Sequence, residues 1–334
     1  MSEGWSLTES DPGVFTGIMR ELGVKGLEVE ELYGLDPDLL AALHPVKALV
    51  FLFKWIGGDL ASMDGKLVTP EDPSFFFAQQ TITNACASMA LLNAVLNVHD
   101  PDVELGEELN NLKAFSEGLD PESKGWTISN SEKIRAVHNS FARADPYHLE
   151  ESRPPTADDD AYHFICYLPV GGKLYELDGL KPLPVSHGDI PDPENWTSLA
   201  RDVLERRIAT HPPGEVMFNL MAITSRSGYL TKQVATLSKA VEEGQARGES
   251  DEWVNAQLEE AKNKLARIED QFKEWDIENS LRRHNYIGLI HTLLLELAKQ
   301  GKLRPQIEAA KKEMERKVAA KKAKGQSAED LMEE

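Results

Sequence analysis

At 334 residues and 41% apolar side chains, the chain has room for one sizeable core with an appendage, and its net charge of −20 argues against general nucleic-acid binding. No run approaches the ~20 apolar residues of a membrane span, and Met1-Ser2-Glu3-Gly4-Trp5 lacks the basic and apolar regions of a signal peptide. Two cysteines, Cys86 and Cys166, are too few for a disulfide framework or a cysteine zinc site, so reduced thiols in a cytosolic or nuclear setting are expected. The charge is uneven: residues 299–324 hold ten Lys/Arg and three Glu, a net +7 that leaves −27 on the remainder.

In chain order, Ser10-Asp11-Pro12-Gly13 opens a helix in which Val14, Phe15, Ile18, Met19 and Leu22 recur at helical spacing. Residues 28–43 read as short, acidic and mostly helical. Residues 46–55 (Val-Lys-Ala-Leu-Val-Phe-Leu-Phe-Lys-Trp) form the strongest strand signal, apolar enough to be central. A polar loop over 57–73 leads towards Ala85, where an Ala- and Leu-rich helix without Gly or Pro begins. Thr83 and Asn84 are its expected N-caps, which puts Cys86 in the first turn. Helices follow around 107–116 and 131–143. The acidic, proline-bearing stretch 145–160 is long for a structureless loop and points to a functional segment. Strands are expected over 161–168, 173–178 and 215–223, with an amphipathic helix at 196–210. Beyond Tyr229 the pattern is helical: 230–246, 251–282, an apolar face of Ile287, Ile290, Leu293, Leu294 and Leu297, and a basic helix over 302–324. The expected organisation is a domain at 1–228, a helical linker at 229–282 and a helical tail at 283–334.

A buried, inert thiol is the commoner fate of a cysteine at a helix start. Cys86 differs in its setting, because first-turn N–H groups and the helix dipole favour a thiolate, and the donor amide of Gln80 lies six residues upstream. A nucleophilic thiolate needs a base, and the base an orienting group. If Gly171-Gly172 is a two-residue hairpin turn, Val170 pairs with Lys173 and paired residue numbers sum to 343. Asp178 then stands opposite Ile165, diagonal to His163 on one sheet face at ~7–8 Å. Cys166, an odd offset from His163, points to the other face, which leaves Cys86 as the partner. His99 and His138 read as partly exposed helix or helix-end residues, and no metal-ligand spacing is visible.

These segments resemble the ubiquitin carboxyl-terminal hydrolase family, and in particular its long-tailed, proteasome-associated branch. The likeness runs through Glu9-Ser10-Asp11-Pro12-Gly13-Val14-Phe15, Phe51-Leu52-Phe53-Lys54-Trp55, Gln80, Asn84-Ala85-Cys86-Ala87, His138-Asn139-Ser140-Phe141-Ala142-Arg143, His163-Phe164, Leu174-Tyr175-Glu176-Leu177-Asp178-Gly179-Leu180 and Phe218-Asn219-Leu220-Met221-Ala222-Ile223. Arg282-Arg283-His284-Asn285-Tyr286 is similar to the tail signature of the long members, whereas Thr83 departs from a usual Asn. The resemblance implies a papain-like α/β (α+β) fold, a central antiparallel sheet wrapped by helices with a knotted chain path, plus an all-helical extension. It implies Cys86 as nucleophile, His163 as general base and acid, Asp178 as orienting group, and Gln80 with the Cys86 N–H as oxyanion hole. Residues 145–160 correspond to the family's crossover loop. No cofactor or metal is implied, and no membrane or direct nucleic-acid partner. The implied partners are ubiquitin and its conjugates, the proteasome's ubiquitin receptor through the tail, and a chromatin-remodelling complex as a second docking site, in cytoplasm and nucleus. The competing reading is a ubiquitin-binding scaffold with latent chemistry.

Overall fold

In the computed structural model, which describes residues 4–54, 65–142, 162–211, 218–246 and 252–323, the Asp11 side chain accepts from the Val14 N–H at 2.9 Å and opens helix α1 (Pro12–Glu21). Its apolar residues Val14, Phe15, Ile18 and Met19 are buried, as their spacing requires.

Strand β1 (Glu28–Leu32) and helix α2 (Pro37–Ala42) follow, so the acidic segment expected as helix is half strand. The reason lies across the sheet, beyond the reach of local propensity. The Glu28 carboxylate accepts from Thr224 Oγ1 (3.1 Å), Ser227 N (2.8 Å) and Ser227 Oγ (2.6 Å), and Glu31 accepts from Asn219 Nδ2 at 2.7 Å. Distant donors thus hold the glutamates of a strand that helix propensity disfavours.

Strand β2 (Val46–Lys54) is as apolar as its sequence reads, and it lies at the interior of the sheet. A short β3 (Lys66–Leu67) precedes helices α3 (Cys86–Val95), α4 (Gly106–Phe115), α5 (Pro121–Asn130) and α6 (Glu132–Ser140). Then come β4 (Tyr162–Val170), β5 (Lys173–Leu177), β6 (Val185–Asp189), α7 (Trp196–Ile208) and β7 (Asn219–Thr224). The seven strands form one antiparallel sheet in the order β1-β7-β2-β4-β5-β6-β3. Gly171 and Gly172, at φ +55° and +76°, make the two-residue turn between β4 and β5. Val170 pairs with Lys173 and Cys166 with Leu177, which is the register expected from the Gly-Gly turn.

Strand alternation divides the core in two. Phe164, Cys166 and Leu168 face the layer built on α1, α3, α4, α5 and α6, while Ile165 and Tyr167 face Trp196, Ala200, Val203 and Leu204 of α7. Burial of both faces makes the sheet the centre of a three-layer arrangement.

Helices α8 (Arg226–Ala246) and α9 (Glu252–Arg283) pack on each other, and α9 also packs on α1. Gly13 permits that approach: a Cβ there would stand 2.7 Å from the Trp275 ring. Asn279 donates to the Gly13 carbonyl at 2.9 Å, Arg282 pairs with Glu9 at 3.3 Å, and Arg283 lies 3.7 Å over the Phe141 ring. Residues from His284 onward form a separate packing unit. Within it, α10 (Ile287–Lys299) exposes Ile287, Leu289, Leu293, Leu294 and Leu295, and α11 (Leu303–Ala323) follows. Among the described residues no helix is long and apolar enough to cross a membrane.

Candidate active site

The loop entering α3 is set by an unusual backbone. Asn84 adopts φ +66°, and its amide donates to the Trp5 carbonyl at 3.1 Å. It therefore does not cap the helix. The residue in the cap position is Ala85, with no side-chain hydrogen bond to the first turn, so the expected Thr83/Asn84 cap gives way to a tether onto the N-terminal segment. Cys86 is the first residue of α3, partly exposed, where unpaired first-turn N–H groups and the dipole favour negative charge on sulfur.

His163 is the second residue of β4 and pairs opposite Phe53 of β2. Its Nε2 donates to Asp178 Oδ1 at 2.7 Å, with both side chains at least nine-tenths covered. Cys86 lies close enough to the ring for its thiol to act on the imidazole. With Nε2 taken by Asp178, Nδ1 is left to meet the sulfur. Burial alone would lower the imidazole pKa, but the hydrogen bonds and charges of Asp178 and Cys86 outweigh it and raise the pKa to about 9. Asp178 moves the opposite way. Burial would raise its pKa, yet the His163 hydrogen bond and charge, the nearby Lys181 and the Leu180 N–H (3.0 Å) hold it below the usual range.

The meeting of Cys86 and His163 depends on where each element ends. Helix α3 packs on the face that bears Phe164 and Cys166, whereas His163 belongs to the opposite face, with Ile165 and Tyr167. Mid-strand, the sheet would separate them. At the first residue of α3 and the start of β4 that separation ends, and Cys86 comes near enough to act on the imidazole.

Gln80 is positioned by an extended strap over residues 75–80. Two amides four residues apart, Asn93 on α3 and Asn97 just past its C-terminal end, hold the strap. Asn93 exchanges hydrogen bonds with the Ala78 backbone (2.8 and 3.0 Å), and Asn97 does the same with Phe76 (2.8 and 2.6 Å). The Gln80 N–H donates to the Gly179 carbonyl at 2.8 Å, next to Asp178, and its side-chain amide donates to Ile82 O at 3.0 Å. Asn93 and Asn97 escaped the sequence reading. Their signal was available: two amides at i and i+4 in an otherwise apolar buried helix must have buried partners.

His138, expected to be partly exposed, is fully buried. Its ring meets Ser88 Oγ at 2.8 Å and the Ser6 carbonyl at 2.7 Å and lies 4.7 Å from the Trp5 ring, so the N-terminal segment covers it. Burial lowers its pKa. Cys166 is fully buried, and burial with the nearby carboxylates of Glu176 and Asp178 pushes its pKa up. No group of three or more potential metal ligands occurs among the described residues. The expected crossover loop at 145–160, with Trp55 and Arg143, lies outside the described residues.

A thiol at a helix start, an imidazole held by a buried carboxylate, and a nearby amide are the equipment of acyl transfer through sulfur. Residues 5–209 match the family model described as ubiquitin carboxyl-terminal hydrolase, family 1, and residues 258–303 match a second, ubiquitin carboxyl-terminal hydrolases. The chain belongs to this family. As a ubiquitin carboxyl-terminal hydrolase it is a cysteine-type deubiquitinase. It is 40% identical over 300 residues to ubiquitin carboxyl-terminal hydrolase ubh-4 of Caenorhabditis elegans, covering 90% of this chain and 89% of the relative. It is 38% identical over 346 aligned positions to isozyme L5 of Dictyostelium discoideum, covering 95% and 98%. The fold is shared with the crystal structure of Trichinella spiralis UCH37 bound to ubiquitin vinyl methyl ester (TM-score 0.62, 35% identity, 81% of this chain and 99% of that one).

Proposed function

We propose that this hydrolase cleaves isopeptide or small-adduct bonds after the terminal Gly of ubiquitin, with Cys86 as nucleophile, His163 as general base and acid, Asp178 as orienting group and Gln80 as oxyanion donor. The placing of Cys86 at a helix start beside an imidazole held by Asp178 carries the reading. The thiolate attacks the Gly carbonyl, and the Gln80 amide and Cys86 N–H receive the developing oxyanion. Collapse expels the amine, which takes its proton from His163. Water, deprotonated by the same imidazole, then releases ubiquitin and restores the thiolate. Both cysteines are free thiols, which suits the reducing cytoplasm and nucleus.

The tail serves docking. The apolar residues exposed on α10 and the +7 of residues 299–324 suit an acidic, helical partner surface. The partner we favour is the ubiquitin receptor of the proteasome, with a chromatin-remodelling subunit as a second dock. The structure dictates where to cut, because Arg282 and Arg283 belong to the clamp on α1 and Phe141. Removing residues 284–334 should abolish receptor binding and leave hydrolysis of a fluorogenic ubiquitin adduct largely intact. In the full chain, Cys86→Ala should abolish that hydrolysis while ubiquitin still binds. Binding without turnover in the unaltered chain would favour a scaffold, and undiminished receptor binding by the truncated chain would refute docking.

A further inference from the structure

Beneath the His163–Asp178 pair lies a buried cluster of charges that the reaction scheme does not use. Glu176 and Asp178 are two residues apart and so share one face. Both are buried, at 3% and 5% exposure. Two carboxylates so placed repel, and desolvation adds to the tendency of one to take a proton. Lys181 sits between them at 2% exposure, with its Nζ 2.5 Å from Glu176 Oε1 and 3.7 Å from Asp178 Oδ2. Its backbone N–H donates to the Asp178 carbonyl at 2.9 Å, so the turn that starts at Asp178 also delivers the ammonium group.

The two carboxylates are not served equally. Glu176 also receives Arg207 Nη1 at 3.0 Å and His187 Nε2 at 3.1 Å. Among the described residues, the permanent cation beside Asp178 is Lys181. The cluster then returns to the imidazole, since Arg207 lies 4.4 Å over the Phe53 ring and Phe53 meets His163 edge-on at 5.9 Å. Burying ionic groups like this adds little stability over apolar packing, which directs attention to the group they surround.

We propose that Lys181 is a positioning residue for the reaction, the fixed counter-charge that keeps Asp178 ionised beside Glu176 and so keeps His163 oriented and charged. This rests on the assignment of Cys86, His163 and Asp178 made above. Among the described residues, the ionisable groups of the cluster are His163, Cys166 and Tyr167 from β4, Cys86 from α3, Glu176 from β5, Lys181 from the following turn, His187 from β6 and Arg207 from α7.

The test is the pH dependence of Cys86 alkylation by iodoacetamide and of ubiquitin-adduct hydrolysis, measured on the full chain. In Lys181→Met, Asp178 holds its proton to higher pH, so the acid limb should move up by about one pH unit. The kcat/KM should then fall roughly 10-fold on the acid side of the limb and recover towards neutral pH, with KM unchanged. Glu176→Gln leaves Lys181 to Asp178 alone and should move the limb down. Lys181→Arg should restore the wild-type profile. Opposite displacements in the first two variants are the signature of counter-charge. A Lys181→Met enzyme that loses thermal stability with an unmoved limb would reduce Lys181 to a structural ion and overturn the proposal. If Lys181→Met does not fold, an unmoved limb in Glu176→Gln overturns it equally. Cys86→Ala separates the two levels: surviving turnover there refutes the catalytic assignment, whereas abolished turnover with unmoved limbs refutes only the role of Lys181.

Discussion

Replacing Asp178 by Asn tests the site most sharply, because it keeps the shape of the side chain and removes its charge. His163 stands at about 9 instead of 6.5, against the downward pull of its own burial. That rise of about 2.5 pH units is roughly 3.4 kcal/mol in favour of the imidazolium, drawn from Asp178 and Cys86 together. If Asp178 supplies about 2–3 kcal/mol of it, the thiolate–imidazolium pair loses roughly 30- to 150-fold in population at neutral pH. The kcat/KM for a ubiquitin adduct should fall at least about 30-fold, and further if the Asn amide turns the ring into the wrong tautomer. The sign of the pH effect follows from linkage. His163 has a folded pKa above its unfolded value, so its stabilisation is fully present below pH 6.5 and disappears as pH rises through about 9. Asp178, held below the carboxylate range, contributes stability above that range that disappears on acidification. Asp178→Asn should therefore cost more melting temperature at pH 6 than at pH 9.5, and the alkaline limb of hydrolysis, where His163 must still carry its proton, should move from about 9 towards neutrality. A variant that loses turnover but keeps the wild-type alkylation profile would refute the reasoning, since the charge would then play no part in holding the ion pair.

Two further outcomes follow from geometry. Cys166→Ala should leave turnover within a few fold, and iodoacetamide should label Cys86 alone at neutral pH, because the Cys166 sulfur is fully buried beside the Leu177 carbonyl. Asn93→Leu removes both hydrogen bonds to Ala78 and leaves that buried backbone pair without partners, at a cost of about 2–4 kcal/mol in chemical denaturation. It should also lower kcat more than it raises KM, since the strap that carries Gln80 loosens.

What could be read from the sequence, and what could not, divides by the distance over which each instruction acts. Helix α1 carries its own start signal in Asp11-Pro12, and the β4–β5 register is set by two glycines that only a tight turn requires. The approach of His163 to Asp178 followed from that register alone. Strand β1 was illegible because its glutamates are stabilised by Thr224, Ser227 and Asn219, nearly two hundred residues away in the chain. Helix α5 went unread because Gly125 and a Thr-Ile-Ser-Asn end give it little propensity, although Asp120 caps it from outside. His138 looked like a surface residue because nothing local announces that Trp5 and Ser6 will cover it.

The site itself shows how Cys86 and His163 could be paired from the sequence on an incomplete argument. Face alternation set Cys166 aside, and that sulfur is indeed buried on the α3 side, yet the same alternation puts His163 on the side of the sheet away from the body of α3. Cys86 is admitted only because it is the first residue of its helix and His163 stands at the start of its strand. One helical turn further along α3, the thiol would sit in the apolar layer among Ala87, Met89 and Ala90, with no route to the imidazole. The position at the helix start therefore does two jobs. It offers the sulfur the unpaired N–H groups that favour its anion, and it brings that anion to the one edge where a histidine from the opposite face can meet it. The Asn84 backbone at φ +66° and its bond to Trp5 fix where that helix begins, so the strained residue two positions before the cysteine sets the geometry of the whole pair.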